Sequence, residues 1–176
     1  MYGRAHVEQT TLEAFGFNAC GDRLCFLGIA PGVTRWSKAL ATLESHGARQ
    51  RTLQEDVYFI DHLRINIEYD PQTQLVTYLA IIDQAGAPLP ITLGDFVRYL
   101  GTPCRFTIQV YSPRYLEIVF QRAYLTLSMD SPALSPNMLI PFIEMNSTGE
   151  VCTNGAAWPG FTTPDRYLGL WMNQPH

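Results

Sequence analysis

The chain has 176 residues, of which 47% are hydrophobic and 16% are charged. That length fits one domain with a substantial hydrophobic core, which we place at residues 1–176. The formal net charge of −4 comes from acidic and basic residues that are scattered singly, so no basic patch is available to neutralise phosphates or anionic lipid. These features argue against nucleic acid as a partner, and no stretch approaches the roughly 18 apolar residues of a membrane span.

The first part of the chain, residues 1–33, has no sustained periodicity. It contains one short apolar run, Leu24 to Ile29. The segment Met1 to Glu8 lacks the apolar core of a signal peptide, so a literal interpretation makes the protein cytoplasmic. The alternative is that a signal sequence or a lipid anchor has been removed from the chain.

The cysteines bear on this choice. They are Cys20, Cys25, Cys104 and Cys152. A zinc site is disfavoured because tetrahedral sites use tight pairs of ligands, whereas the second pair here is widely spaced and the histidines are scattered. Four cysteines allow three disulfide connectivities, of which Cys20–Cys25 with Cys104–Cys152 is the most economical. Disulfides indicate an exported protein, whereas four buried reduced thiols would indicate a cytoplasmic one.

A first helix is predicted after Thr34, which is a suitable N-cap residue. Apolar residues then recur at three- and four-residue spacing: Trp36, Ala39, Leu40 and Leu43. The pair His46-Gly47 offers a C-terminal stop. The pattern predicts an amphipathic helix of about three turns.

The periodicity then changes to two. Residues 63–69 alternate perfectly, with apolar side chains at odd positions and polar ones at even positions, which predicts a strand with one buried and one solvated face. Residues 57–60 and 75–82 predict two more strands, and residues 70–74 predict the turn between two of them.

The second half begins with a helix signal. Thr92 and Asp95 have the spacing of a capping box, and Gly101 ends the predicted helix. Three strands follow, at residues 105–111, 115–120 and 123–129. Their short connections predict antiparallel pairing, because parallel strands need long crossovers.

Residues 131–176 are rich in proline and predict an irregular C-terminal tail, with a short helix near Met138 to Met145 as an option. The tail carries four large aromatic residues that are candidates for a contact surface: Trp158, Phe161, Tyr167 and Trp171. The alternative is that they pack onto the open face of the sheet and complete the core.

These elements predict an α+β fold. It consists of an antiparallel sheet of about five or six strands, with two short helices on one face and the proline-rich tail across it. The two halves, at about residues 28–82 and 90–129, echo each other, since each runs from an apolar residue and Thr through a short helix to Leu and Gly and then into strands.

At the segment Gly32-Val33-Thr34-Arg35 the chain resembles the BamE/BLIP-like exported tandem α/β repeat proteins, which share this layout. In the second unit, Pro90-Ile91-Thr92 lacks the glycine of the pattern. The resemblance covers about residues 28–129. It implies an envelope or secreted protein that works by contact, with no active site to transfer.

No catalytic, metal or cofactor site is predicted. The loop at residues 28–34 has Val33 where a phosphate-binding loop needs Lys, and no Gly-x-Ser-x-Gly elbow is present. A thiol–imidazole pair of Cys104 with His46 or His62 has no support from spacing.

The functional prediction is therefore a non-catalytic, extracytoplasmic protein that binds another protein. One alternative is a small-molecule or lipid carrier that uses the concave sheet face, with an apolar cavity bounded by Leu63, Ile65, Ile67 and the tail aromatics. The other alternative is an enzyme of unrecognised type, which would show a cleft with convergent ionisable residues.

Overall fold

The computed structural model describes a fixed set of residues: 10–21, 23–50, 56–109, 115–120, 123–128, 134–147, 158, 160 and 161. Within them the helices are α1 (Thr11–Phe15), α2 (Trp36–Ser45) and α3 (Leu93–Leu100). The strands are β1 (Phe17–Cys20), β2 (Arg23–Phe26), β3 (Val57–Ile60), β4 (Leu63–Tyr69), β5 (Val76–Asp83), β6 (Leu89–Thr92), β7 (Arg105–Gln109), β8 (Tyr115–Phe120), β9 (Ala123–Ser128), β10 (Leu139–Ile140) and β11 (Phe142–Asn146).

The main sheet has seven strands in the order β3-β4-β5-β11-β9-β8-β7, and every neighbouring pair is antiparallel. Strands β1 and β2 form a separate hairpin, and β6 pairs with β10. The predicted α+β class with an antiparallel sheet is confirmed. The sheet is wider than predicted because a strand from the predicted tail, β11, joins it in the middle.

Helix α2 confirms the predicted helix, but its start differs from the prediction. Arg35 is the N-cap and makes no side-chain capping bond. Thr34 instead turns its hydroxyl inward, where Oγ1 accepts a hydrogen bond from the Ala30 backbone N–H at 2.9 Å. The hydroxyl of Thr34 therefore closes the preceding turn, in the way short polar side chains stabilise local turns. The helix ends at the predicted His46.

Helix α3 confirms the predicted capping box. The Thr92 hydroxyl accepts a hydrogen bond from the Asp95 backbone N–H, and the Asp95 carboxylate accepts one from the Thr92 backbone N–H. This exchange satisfies two backbone donors at the helix start. Gly94 in the first turn donates its backbone N–H to the carbonyl of Pro136 at 2.8 Å, which brings the segment before β10 close against the helix.

Both predicted helices lie on the same face of the main sheet. Trp36 of α2 stacks on Tyr69 with ring centroids 4.5 Å apart and meets Tyr58 edge-on at 6.4 Å. Phe96 of α3 contacts Phe120 of β8 at 6.2 Å. These sheet residues share the face that carries the apolar positions of the central strands, so this covered face is the core face.

The N-terminal hairpin also covers the core face. Phe17 of β1 is fully buried against Phe96, with ring centroids 5.8 Å apart. Arg23 of β2 fastens the hairpin to the rest of the protein, because its Nη1 donates to the carbonyls of Pro31 and Ser147 at 2.9 and 3.0 Å. Residues 1–33, which show no periodicity, thus contain α1, β1 and β2 within their described part.

The optional helix near Met138 to Met145 is wrong, because those residues form β10 and β11. In β11 the positions alternate, with Ile143 and Met145 buried and the three flanking residues partly exposed. Ile143 lies opposite Ile81 of β5 and Leu125 of β9 in the sheet register. This segment forms a strand because it pairs on both sides with strands that are distant in the sequence, β5 and β9. The rest of the predicted tail, apart from residues 134–147, 158, 160 and 161, lies outside the described residues.

The two halves of the sheet have matching arrangements. Helix α2 is followed by the meander β3-β4-β5, and helix α3 is followed by the meander β7-β8-β9. In the sheet the two meanders flank β11 in opposite order, so that β5 and β9 are its neighbours.

Candidate functional site

The second face of the main sheet points away from the helices, and we call it the outer face. A cross-strand row of four side chains lies on it, one from each of β3, β4, β5 and β11: Phe59, Arg64, Ile82 and Phe142. Arg64 is exposed and the three apolar side chains are partly exposed. The outer face is not open everywhere, since Ala80 and Val119 on it are fully buried. Its accessible part is centred on β4, β5 and β11.

A polar pair lies beside this row. Tyr78 of β5 donates its hydroxyl to Oε1 of Glu144 of β11, with an oxygen–oxygen distance of 2.5 Å. Burial raises the pKa of Tyr78 above its usual value, and the hydrogen bond to Glu144 and the charges of Glu144 and Glu68 add to the increase. Glu68 of β4 lies directly opposite Tyr78 in the sheet register. The phenol is therefore held neutral while it fixes the carboxylate in place.

The outer face combines apolar side chains with charges of both signs. Arg64 donates from Nε to the Asn66 side chain on its own strand at 2.9 Å. Among the described residues, no group of three or more His, Cys, Asp or Glu side chains is arranged to hold a metal ion. A mixture of aromatic, aliphatic and charged groups on a sheet face is suited to protein recognition.

Three of the four cysteines fall within the described residues. Cys20 and Cys25 form a disulfide across the β1–β2 hairpin, which confirms that pairing. Cys104 is also disulfide-bonded, while its predicted partner Cys152 lies outside the described residues. A disulfide sulfur is not a thiolate. Cys104 in this state therefore cannot be a nucleophile that His46 or His62 would activate as a base.

Two of the four tail aromatics fall within the described residues, and they differ. Trp158 is partly buried and packs against the core. Phe161 is 44% exposed and meets Trp158 edge-on, with ring centroids 5.8 Å apart. Trp158 thus fits the core-packing alternative, whereas Phe161 remains a contact-surface candidate. Tyr167 and Trp171 lie outside the described residues.

The residues named for a carrier cavity lie in the core. Ile65 and Ile67 are 0% exposed, and Leu63 is 8% exposed. They form one cluster with Ala39 and Leu43 of α2, so the helix occupies the face that a ligand would need.

A small cavity of about 60 Å³ lies between α1 and α3. Its lining residues are Thr10, Leu12, Asp95, Arg98 and Tyr99. Thr10 and Asp95 both serve the helix capping boxes, and Arg98 pairs with Asp95 at 3.5 Å. This volume has room for a few water molecules, and its polar groups already have structural partners.

Sequence reasoning identified only part of the outer face. The sequence predicts solvated polar positions on β4, but it places Phe142 and Glu144 in the tail with its optional short helix. The alternation in Phe142-Ile143-Glu144-Met145-Asn146 is the signal that would have identified β11.

No protein-family model, curated protein or solved structure matches this chain. In the described residues, no helix is both long enough and apolar enough to cross a lipid bilayer.

Proposed function

We propose that this protein is a non-catalytic, exported or envelope-associated protein that acts by binding another protein through its outer face. The observation that carries this proposal is the partly exposed row Phe59, Ile82 and Phe142, on the face opposite the helices. Antiparallel sheets that pack helices on one face commonly leave the other face solvated and polar. Here that face retains partly exposed aromatic side chains and an exposed arginine, which are residue types that are enriched in protein interfaces.

The charges on the outer face favour a protein as the occupant. Arg64 and Glu68 are both exposed on β4, so the surface has no single sign that would attract phosphates or anionic lipid. Partner proteins recognise such mixed surfaces through complementary charges around an apolar centre.

The tandem-repeat resemblance is part of the same proposal. The matching order of helix and three strands in each half supports two repeat units, and a BamE/BLIP-like relationship implies work by contact. The Cys20–Cys25 disulfide supports an oxidising compartment, where such bonds persist.

Photo-crosslinking in the organism that encodes the chain tests the proposal. A photoreactive amino acid is placed at Ile82 or at Phe142, and a control probe is placed at Ser37. Ser37 is exposed on α2, on the opposite side of the sheet. We expect both outer-face probes to form the same discrete adduct with one partner protein.

The control decides the outcome. An adduct that also forms from Ser37 would show non-specific proximity, and the absence of any adduct from Ile82 and Phe142 would contradict the proposal. Each probe-bearing protein is checked for an unchanged thermal unfolding midpoint, so that a misfolded variant is not mistaken for a loss of binding.

A further inference from the structure

Glu144 is a partly buried polar group on the outer face that an occupant would have to accommodate. Its Cα lies opposite Ala80 of β5, which is two residues from Ile82 and on the same face, so its carboxylate lies beside the apolar row. The side chain is partly buried already. A protein docked on Ile82 and Phe142 would therefore bury this carboxylate further and reduce its contact with water.

The Glu144 carboxylate is only partly satisfied by the described part of the chain. Within the described residues, the Tyr78 hydroxyl is its one hydrogen-bond donor, and it binds Oε1. Arg64, which shares the outer face, donates its Nε–H to Asn66 on its own strand, and no ion pair among the described residues joins Arg64 to Glu144. An ionised carboxylate accepts several hydrogen bonds, and burying it without a counter-charge is strongly unfavourable.

We infer that the partner protein inserts an arginine or lysine side chain beside the apolar row, where it pairs with the Glu144 carboxylate. This inference rests on the proposed function and specifies the chemistry of the partner. Tyr78 acts as a positioning residue. Its hydroxyl holds Oε1 of Glu144, and this bond fixes the orientation of the carboxylate, so that Oε2 can accept a hydrogen bond from the partner. Glu68, opposite Tyr78 and exposed, adds a second negative charge that favours a cation at this point.

The experiment uses the photoreactive probe at Ile82 and compares Glu144→Gln with Glu44→Gln. Both substitutions remove one negative charge, but Glu44 is exposed on α2, away from the outer face. A glutamine at position 144 can still accept the Tyr78 hydrogen bond, so the fold is expected to be retained. We expect Glu144→Gln to lower the adduct yield by about tenfold or more, as for truncation of one member of a buried ion pair. Glu44→Gln should leave the yield unchanged.

Two further measurements sharpen the test. Glu144→Asp keeps the charge and should retain more of the adduct than Glu144→Gln, even if either substitution slightly lowers the unfolding midpoint. The adduct is then digested, and the linked partner segment is identified by mass spectrometry. We expect that segment to contain an arginine or lysine whose replacement by glutamate abolishes the adduct. If Glu144→Arg then restores the adduct with that partner variant, the ion pair is established.

The outcomes separate the two claims. Equal adduct yields from the wild type, Glu144→Gln and Glu44→Gln would overturn the ion pair while the protein-binding function stood. A linked segment without a basic residue would overturn it as well. If the Ile82 probe gives no adduct even in the wild type, the proposed function itself fails, and the inference fails with it.

Discussion

Tyr78 shows how a single side chain can combine a structural and a functional constraint. Its phenol is half-buried, and its hydroxyl donates to a carboxylate. Both effects raise the pKa of Tyr78, because the neutral phenol is the form that the folded protein stabilises. The contribution to stability is therefore complete below the pKa of the unfolded chain, near 10, and is lost as the pH rises above that value.

Replacement of Tyr78 by Phe tests this directly. At neutral pH we expect the free energy of unfolding to fall by about 1.5–3 kcal/mol, since a hydrogen bond to a charged acceptor is lost. Above about pH 10 the difference between wild type and variant should shrink, because the wild type alone loses this contribution. Denaturant unfolding at neutral and alkaline pH measures both.

Tyr69→Phe is the matched control for that experiment. Tyr69 contributes its ring to the stack on Trp36, and the phenylalanine keeps that ring. We expect this variant to differ little from the wild type at either pH. A constant difference between wild type and Tyr78→Phe across the pH range would contradict the assignment.

At the scale of elements, the contact between α3 and the segment before β10 depends on a missing side chain. A Cβ on Gly94 would lie 2.7 Å from the carbonyl oxygen of Pro136, which is closer than atoms normally approach. Packing therefore requires glycine at position 94, although alanine is the better helix former by roughly 0.5–1 kcal/mol.

We expect Gly94→Ala to destabilise the protein by about 1–2 kcal/mol, because overpacking outweighs the gain in helix propensity. The midpoint and slope of denaturant unfolding measure the change. Ser37→Ala, at an exposed position of α2, introduces the same side chain without an overlap and should be neutral or slightly stabilising. A stabilised Gly94→Ala variant would show that the segment of Pro136 can move aside.

Elements whose pattern is local could be predicted from the sequence. The alternation in β4 and the capping box of α3 each depend on residues within a few positions, and both predictions are confirmed. The strand β11 was missed because its neighbours β5 and β9 are distant in sequence and its flank is rich in proline. For the same reason, the pairing of Tyr78 with Glu144 could not be predicted. The contribution of β11 to the outer face, Phe142 and Glu144, could not be predicted either.

At the scale of the whole molecule, the sheet is assembled around its last described strand. Strand β11 pairs on one side with β5 and on the other with β9, so it joins two meanders that are otherwise built from local contacts. Long-range pairing of this kind forms slowly, because loop closure must precede the contacts that reward it. Without β11, strands β5 and β9 would each be an unpaired edge of a three-stranded meander.

The hairpin β1–β2 attaches the beginning of the chain to the rest of the protein, and its disulfide stabilises the hairpin. The bond spans a sequence separation of five residues, and cross-linking so short a loop restricts the unfolded chain by about 2 kcal/mol. We therefore expect the double variant Cys20→Ser, Cys25→Ser to lose about that free energy of unfolding while it keeps Phe17 buried against Phe96. Denaturant unfolding measures the loss, and near-ultraviolet circular dichroism reports whether the aromatic packing survives.

The same cysteines test the compartment. An exported protein should carry its disulfides in the cell, so rapid alkylation of the living organism before lysis should leave the cysteines unlabelled until a reductant is added. Intact mass should then rise by two hydrogen masses per disulfide on reduction. Full labelling without reductant would place the protein in a reducing compartment, because glutathione and thioredoxin keep thiols reduced there. That result would contradict export but leave the outer-face contact to be tested in the cytoplasm.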